Sequence, residues 1–238
     1  MKLINKKNNQ ITFTVEIEES LANAIRRHIN QIPVLAINEV EISKNDSPLY
    51  DETIAHRLGL IPLKANKTAD EKKGITLKLD VKKEGVVYSG ELKGNAKAVY
   101  DNIPITYLDK GKELKVTATT KTGRGEEHSK FSPGLMFYRN FVDIKIDKDC
   151  PKEIIESCPK GVLKLKEGKI IAENLKKCDE CEICIEECKK RGKDSITITP
   201  TGELIITLES FGQLNVKDLF KKSVEELKKD LKKIQKKI

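Results

Sequence analysis

Alternating apolar and polar side chains mark most of the elements predicted for this chain of 238 residues. Residues 11–17, ITFTVEI, alternate strictly and predict a half-buried strand, and residues 36–42, AINEVEI, have a similar pattern. Between residues 43 and 147, strand-like runs such as 74–81 and 113–119 are separated by turns that contain glycine. The pattern favours the α+β class, with a mostly β segment in the first two thirds of the chain.

Two segments have the period of an amphipathic helix instead. Ser20 is predicted to cap the first helix and Pro33 to end it. Its apolar side chains share one face: Leu21, Ile25, Ile29 and Ile32. Asn215 is the predicted N-cap of the second helix, with Asp218 at its positive end. Apolar side chains then recur at intervals of four and three, as in a coiled-coil seam: Phe220, Val224, Leu227, Leu231, Ile234 and Ile238. Such a stripe fits a helix that faces a partner as well as it fits an ordinary core helix.

Further strand signals lie in the last third of the chain. Residues 162–172 predict a short hairpin that turns at Glu167-Gly168. Strands are also predicted at residues 196–199 and 203–209, before the last helix.

All six cysteines lie in the window of residues 150–193, where the composition changes abruptly. Four of them, in KCDECEICIEECKK, have the spacing C-x2-C-x2-C-x3-C, which is typical of iron–sulfur ferredoxins. Three thiolates on one tight loop can hold three corners of a small cluster, but the fourth ligand must come from another segment. Cys158, which a proline follows, precedes the run, and the predicted hairpin lies between them. We therefore expect one cluster, either [4Fe-4S] or [3Fe-4S], ligated by Cys178, Cys181, Cys184 and Cys158.

The other two cysteines lack a complete ligand set. A second cluster would need cysteines at positions that Lys148, Pro151 and Ile154 occupy. We expect Cys150 and Cys188 to form a disulfide or to remain free thiols. Zinc is the alternative metal, although zinc sites more often use two separate C-x2-C pairs. In either case the metal can stabilise its own segment, because the free energy of metal binding adds to the free energy of folding.

The charge of the chain restricts its possible partners. Charged residues make up 34% of the sequence and the net charge is +8, which suits nucleic acid or an acidic protein as partner. The lysines are spread along the chain, however, and near its end they alternate with glutamates, as on a solvated surface. A module that binds single-stranded nucleic acid would need aromatic side chains on a basic face, and only 5% of the residues are aromatic.

The sequence also restricts location and chemistry. There is no run of about 18 apolar residues that would predict a membrane span, and the N-terminal residues lack the apolar core of a signal peptide. We therefore expect a cytoplasmic protein with no membrane partner. The sequence contains neither an aspartate-rich string for two magnesium ions nor a phosphate-binding loop, so no catalytic residues are predicted.

Several motifs together resemble the alpha-like subunits of DNA-directed RNA polymerase. They are LANAIRR at 21–27, the strand at 36–42, DETIAHRLGLIPLK at 51–64, GRGEEHSKFSP at 123–133 and ESFGQL at 209–214. The resemblance covers nearly the whole chain. With its ferredoxin-like insertion, the chain is most similar to the archaeal branch of this family.

This resemblance implies a domain plan and a set of partners. A discontinuous dimerisation domain would comprise residues 1–42 and, after a return along the edge of the insert domain, part of residues 194–238. Residues 43–147 would form a β-rich insert domain and residues 148–193 a ferredoxin-like cluster domain. The chain would be a non-catalytic assembly subunit that forms a heterodimer with the L-type small subunit. The N-type and B-type subunits would then join, and the chain would reach DNA only through the complex.

The expected contact residues lie on the two predicted helices: Leu21, Ile25, Arg26, Arg27, Phe220, Val224, Leu227, Leu231 and Ile234. A ferredoxin-like electron-transfer component is the alternative function.

Overall fold

A computed structural model describes residues 1–65 and 74–237 of the chain. The chain divides into two compact units. The first comprises Met1–Asn23 and Met136–Thr207, and the second comprises Ala24–Leu135 and Leu208–Ile238. Among the described residues, no helix combines the length and the apolar composition that crossing a bilayer requires.

The secondary structure is mostly sheet, so the prediction of an α+β chain is confirmed. The helices are α1 (Glu19–His28), α2 (Asp51–Gly59), α3 (Ile154–Ser157), α4 (Ile183–Lys190) and α5 (Val216–Gln235). The strands are β1 (Lys2–Lys6), β2 (Gln10–Glu16), β3 (Val34–Asn45), β4 (Leu63–Ala65), β5 (Thr76–Val81), β6 (Gly85–Tyr88), β7 (Lys93–Gly94), β8 (Ala96–Ala98), β9 (Pro104–Leu108), β10 (Leu114–Gly123), β11 (Gly134–Ile146), β12 (Leu163–Lys166), β13 (Lys169–Ala172) and β14 (Ile196–Ser210).

One four-stranded sheet has the order β1-β2-β14-β11. The strand predicted at residues 11–17 is β2, and it pairs antiparallel with β1, Lys2 lying opposite Thr14 and Lys6 opposite Ile11. The strands predicted at 196–199 and 203–209 are confirmed, but they belong to one element, because β14 runs through both without a break.

The middle of β14 tolerates residues that usually interrupt strands. Pro200, Thr201 and Gly202 are all exposed, so the missing N–H of the proline leaves no buried group unpaired. The Thr201 hydroxyl also donates a hydrogen bond of 2.8 Å to the main-chain oxygen of Phe141 on β11. A side chain thus ties β14 to β11 between the two segments that the sequence predicted as strands.

The second four-stranded sheet has the order β3-β10-β5-β7. Its strands β3, β10 and β5 confirm the strands predicted at 36–42, 113–119 and 74–81. Strand β10 pairs antiparallel with both neighbours, so that Leu114 lies opposite Asn45 on one side and Val81 on the other. Alternation in β5 buries Leu77, Leu79 and Val81 in a large apolar core, to which α2 contributes Ile54 and Leu58.

Helix α1 differs from its prediction at its N-terminus. It begins at Glu19, and the amide of Ala22 donates to the main-chain oxygen of Glu18, so the prediction of Ser20 as N-cap is wrong. The buried face is centred on Ala22, Ile25 and Ile29, which places Leu21 at its rim with 45% of its surface exposed. A single 3-10 turn, Ile29–Gln31, then leads to Pro33.

Candidate metal centre and partner interface

The cysteine window contains the predicted hairpin, and the structure confirms it. Strands β12 and β13 pair antiparallel, with Leu163 opposite Ala172 and Lys166 opposite Lys169. The two turn residues, Glu167 and Gly168, have φ angles of 51° and 77°, the left-handed values that a tight two-residue turn requires. The hairpin therefore reverses the chain between Cys158 and the cysteine run.

The backbone of the cysteine loop, residues 178–184, is wound unusually tightly. Glu180 and Glu182, which flank Cys181, have φ angles of 58° and 57°. A left-handed conformation costs a residue with a β-carbon about 1–2 kcal/mol. Such conformations persist where the surroundings impose them, and they are common at ligand sites. Helix α4 begins directly afterwards at Ile183 and carries Cys184 in its first turn.

The four predicted ligands share one small cavity. Cys158, Cys178, Cys181 and Cys184 all line it, and its volume is about 20 Å³. Cys178 and Cys184 are buried, Cys158 is half-buried and Cys181 is exposed. The wall also contains apolar side chains, namely Ile144 of β11, Ile198 of β14, and Val162 and Leu163 at the start of the hairpin, and Lys160, Asp179 and Glu182 line it as well.

The four thiols line the cavity, but their side chains do not have the arrangement of a metal-binding site. Among the described residues, no group of three or more His, Cys, Asp or Glu side chains is arranged so that it could hold a metal ion. The role of the four cysteines as ligands therefore stays a prediction. The chemistry of the donor set nevertheless fits an iron–sulfur cluster, because three thiols of the ferredoxin spacing and one outside cysteine meet in an apolar cavity.

Main-chain amides point at three of the four sulfur atoms. The amide of Val162 donates to Cys158 Sγ at 3.4 Å. The amides of Glu180 and Ile185 hydrogen-bond to the sulfurs of Cys178 and Cys184. Hydrogen bonds of this kind stabilise thiolate sulfur, and in iron–sulfur proteins they help to set the reduction potential.

The electrostatics of the cavity disfavour ionised thiols that have no bound cation. Burial raises the pKa of Cys184 to about 11, and the charges of Cys158, Cys178 and Cys181 act in the same direction, although the amide of Ile185 opposes them. Burial also raises the pKa of the Cys178 thiol. Four ionised thiols in this space would repel one another, so a cation is needed to stabilise them together.

The two remaining cysteines form a second pair, which shares an apolar cluster with Cys184. Cys150 and Cys188 are buried free thiols, and they lie in one apolar cluster with Ile154, Leu163 and Ile196. A hydrogen bond joins the two side chains, and burial together with the neighbouring Cys188 raises the pKa of Cys150 to about 11. The two side chains are in contact, and whether they form a disulfide or remain free thiols stays a prediction.

Sequence reasoning missed the residues of β11 that hold the cysteine loop. The guanidinium of Arg139 donates to the main-chain oxygens of Cys178 and, at 2.5 Å, of Lys176. The side-chain amide of Asn140 donates to the carboxylate of Glu180 at 3.5 Å. No local pattern could have revealed these contacts, since about forty residues separate the partners in sequence.

The last helix presents two neighbouring faces. Val216, Leu219 and Ser223 are buried. Beside them lies the predicted seam, which we define as Phe220, Val224, Leu227, Leu231 and Ile234. Its first three side chains are half-buried, but Leu231 and Ile234 expose 56% and 58% of their surface. Ile238, the last position of the predicted stripe, lies outside the described residues. Asn215 caps the helix as predicted, because its side-chain oxygen accepts from the amide of Lys217 at 3.0 Å.

The predicted contact residues of α1 are divided between surface and core. Arg26 and Arg27 are exposed, whereas Ile25 exposes only 6% of its surface. His28 joins the end of α1 to α5: its Nδ1 donates to the Ala24 main-chain oxygen at 2.7 Å, and its Nε2 lies 3.3 Å from the carboxylate of Asp230. The seam of α5 therefore has a fixed position relative to the end of α1.

The motif GRGEEHSKFSP packs against the turn that follows α1. The Ser132 hydroxyl donates to the side-chain oxygen of Asn30 at 2.9 Å, and the Gln31 amide donates to Glu126 at 2.5 Å. Gly123 lies under the ring of Phe131, where a β-carbon would come within 2.6 Å of the ring. The motif thus fixes the end of α1 through contacts that need these small and polar side chains.

Comparison with known proteins gives a consistent result. The model of the RNA polymerase Rpb3/RpoA insert domain matches residues 35–136. The DNA-directed RNA polymerase subunit Rpo3 of Thermococcus kodakarensis is 33% identical over 237 aligned positions, which cover 92% of this chain and 89% of the relative. The subunit of the same name from Methanobrevibacter smithii is 32% identical and covers 94% and 92%.

A third relative matches more closely over a shorter stretch. Subunit Rpo3 of Pyrococcus horikoshii is 41% identical over 160 residues, and the match spans 62% of each chain. Since the other two matches cover nearly the full length of both proteins, the similarity is not confined to one segment. The chain therefore belongs to the family of archaeal DNA-directed RNA polymerase subunit Rpo3, the alpha-like subunit.

Proposed function

We propose that this chain is a non-catalytic assembly subunit of DNA-directed RNA polymerase that acts by seating other polymerase subunits. Its relatives are named as polymerase subunits over nearly their whole length. The single observation that carries the proposal is the seam of α5, whose apolar side chains become more exposed toward the end of the helix. The relatives' names offer no support for the alternative of a ferredoxin-like electron carrier.

The seam suits a helix of a similar small subunit. Leu231 and Ile234 are apolar, exposed and one helical turn apart, and lysines, Asp230 and Gln235 flank them. Full burial of one such side chain contributes about 1.5–3 kcal/mol. We propose the L-type small subunit as this partner, the N-type and B-type subunits as later additions, and contact with DNA only through the complex.

Co-expression with an L-type subunit tests the interface. Replacing Leu231→Lys or Ile234→Lys places a charge in the seam, and we expect at least a tenfold loss of the co-purified partner because a buried charge without a counterion is costly. The exposed Glu225→Gln variant changes the net charge by the same amount on another face of α5 and serves as the matched control.

The folded state should be unaffected by the seam variants, since both side chains are largely exposed. Circular dichroism before the binding assay checks this. Full retention of the partner by both seam variants would contradict the proposed interface.

We further propose that Cys158, Cys178, Cys181 and Cys184 hold one iron–sulfur cluster with a structural role. The tight loop, the amides directed at sulfur and the apolar cavity support this assignment. When bound, the cluster would supply metal–thiolate bonds that join the segment before the hairpin to the loop after it. The protein itself brings four thiols together and donates main-chain hydrogen bonds to them. Ile144, Ile198 and Val162 exclude water from the cavity.

Anaerobic purification with iron, sulfide and zinc analysis of the same sample tests the metal centre. We expect three or four iron atoms with matching sulfide per chain, and loss of both in Cys184→Ser, because Cys184 is a buried member of the set. The matched variant Cys188→Ser removes a buried thiol that does not line the cavity, and it should keep its iron. One zinc per chain without sulfide would contradict the cluster.

A further inference from the structure

Strand β11 holds the cysteine loop at two points and the segment just before it at a third. The two donors of the Arg139 guanidinium bond to the main-chain oxygens of Cys178 and Lys176, which are two residues apart. The next side chain, Asn140, bonds to Glu180. A planar guanidinium that donates to two carbonyl oxygens forms a fork, and this fork fixes both the position and the direction of the backbone that it binds.

The same strand also forms part of the wall of the cavity. Ile144 lines the cavity, and Val142 packs in one apolar cluster with Val162 and Cys178. The loop therefore rests on β11 through apolar contacts and is held there by Arg139. Movement of Cys178 away from the cavity would break the fork and leave a half-buried guanidinium without its acceptors.

The positive charge of Arg139 would balance negative charge at a site that holds a cluster. The loop carries the acidic residues Asp179, Glu180 and Glu182, and Asp179 is paired with Lys160 at 3.2 Å. Four thiolates around an iron–sulfur core add further negative charge. Arg139 is bonded to the main chain of a predicted ligand and brings the positive charge of its guanidinium to the loop.

We propose that Arg139 is a positioning residue for the cysteine site. Its guanidinium fixes the loop that carries Cys178, Cys181 and Cys184, and its charge stabilises the more negative, reduced state of the bound cluster. This inference rests on the proposed iron–sulfur centre, and it adds a residue that the spacing of the cysteines does not reveal.

Three variants of the full chain separate position from charge. Arg139→Gln removes the fork and the charge, whereas Arg139→Lys keeps the charge but cannot hold two carbonyl oxygens in the same plane. Arg191→Gln is the matched control, because Arg191 is 46% exposed and pairs with Glu153 at 3.8 Å rather than with the cysteine loop. Each variant is reconstituted with iron and sulfide under anaerobic conditions.

Two measurements give the readout: the rate of iron release to a chelator, and the midpoint potential of the cluster. For Arg139→Gln we expect several-fold faster release and a more negative potential, since loss of a nearby positive charge disfavours the reduced state. Arg139→Lys should release iron faster but keep a potential near that of the unaltered chain. Arg191→Gln should match the unaltered chain in both measurements.

The outcomes are distinguishable from failure of the metal centre itself. If the unaltered chain takes up no iron and sulfide, the proposed cluster is wrong and the role of Arg139 is wrong with it. If the chain is loaded but Arg139→Gln leaves release rate and potential unchanged, only the present inference is overturned. If Arg139→Gln proves too unstable to reconstitute, an unchanged release rate in Arg139→Lys would overturn the positioning role.

Discussion

Single cysteine side chains differ sharply in exposure, and this difference should govern their reactivity. Cys181 is exposed, whereas Cys184 and Cys150 are buried and each has a pKa raised to about 11, chiefly by burial. Alkylating reagents attack the thiolate. At pH 8 only about one in a thousand of the buried thiols is ionised, given a pKa near 11.

In the metal-free, reduced chain we therefore expect iodoacetamide to label Cys181 first. Because the raised pKa keeps Cys150 and Cys184 protonated below pH 11, their labelling should quicken about tenfold for each pH unit above 8. Mass spectrometry of peptides after timed labelling measures both effects. Equal rates for Cys181 and Cys150 at pH 8, in a chain shown to be folded, would contradict the described burial.

At the scale of elements, one glycine allows α5 to lie close to the strands. A β-carbon at Gly134 of β11 would collide with the main-chain oxygen of Glu209 on β14 and lie 2.8 Å from the Leu219 side chain on α5. The position has an ordinary backbone conformation, so the constraint is space rather than φ. The strand and the helix can approach this closely only because the residue has no side chain.

Gly134→Ala should therefore lower the free energy of unfolding by about 1–3 kcal/mol, the usual cost of overpacking. Gly59→Ala is the control, because a β-carbon at the end of α2 would meet nothing closer than 3.9 Å. Urea unfolding followed by circular dichroism gives both values. Equal stability of the two variants would mean that α5 does not pack against Gly134.

At the scale of the whole molecule, the chain consists of two compact units, and the cysteine cavity belongs to one of them. All residues that line the cavity lie within Met136–Thr207. A structural metal stabilises the unit that supplies its ligands, because binding free energy adds to folding free energy only there. The domain boundaries predicted from the resemblance, at residues 42, 147 and 193, stay predictions.

Iron removal should therefore loosen the two units unequally. We expect faster amide hydrogen exchange in residues 142–207 after chelation, while the sheet β3-β10-β5-β7 keeps its protection. Exchange followed by mass spectrometry, with and without reconstituted iron, measures this. Equal loss of protection in both units would show that the metal supports the entire chain.

Patterns confined to a few neighbouring residues were sufficient to predict much of this protein. Alternation located β2, β3, β5 and β10, and Asn215 and Glu167-Gly168 marked a helix cap and a hairpin turn. Each depends on contacts between residues near in sequence. The same patterns did not show that the segments 196–199 and 203–209 form one strand. Pro200 does not interrupt β14, because its surroundings are exposed and Thr201 bonds to Phe141 on another strand.

The sequence by itself determined the positions of the strongly periodic elements, the family resemblance and the four cysteines most suited to a cluster. Only the tertiary structure decided that these cysteines line one cavity, that Arg139 holds their loop, and that Ile25 is buried while Leu231 and Ile234 are not. The physical reason is the distance along the chain over which each kind of interaction acts. Periodicity and turn chemistry act over a few residues, whereas a cavity wall or an exposed seam is fixed by packing between segments far apart in the chain.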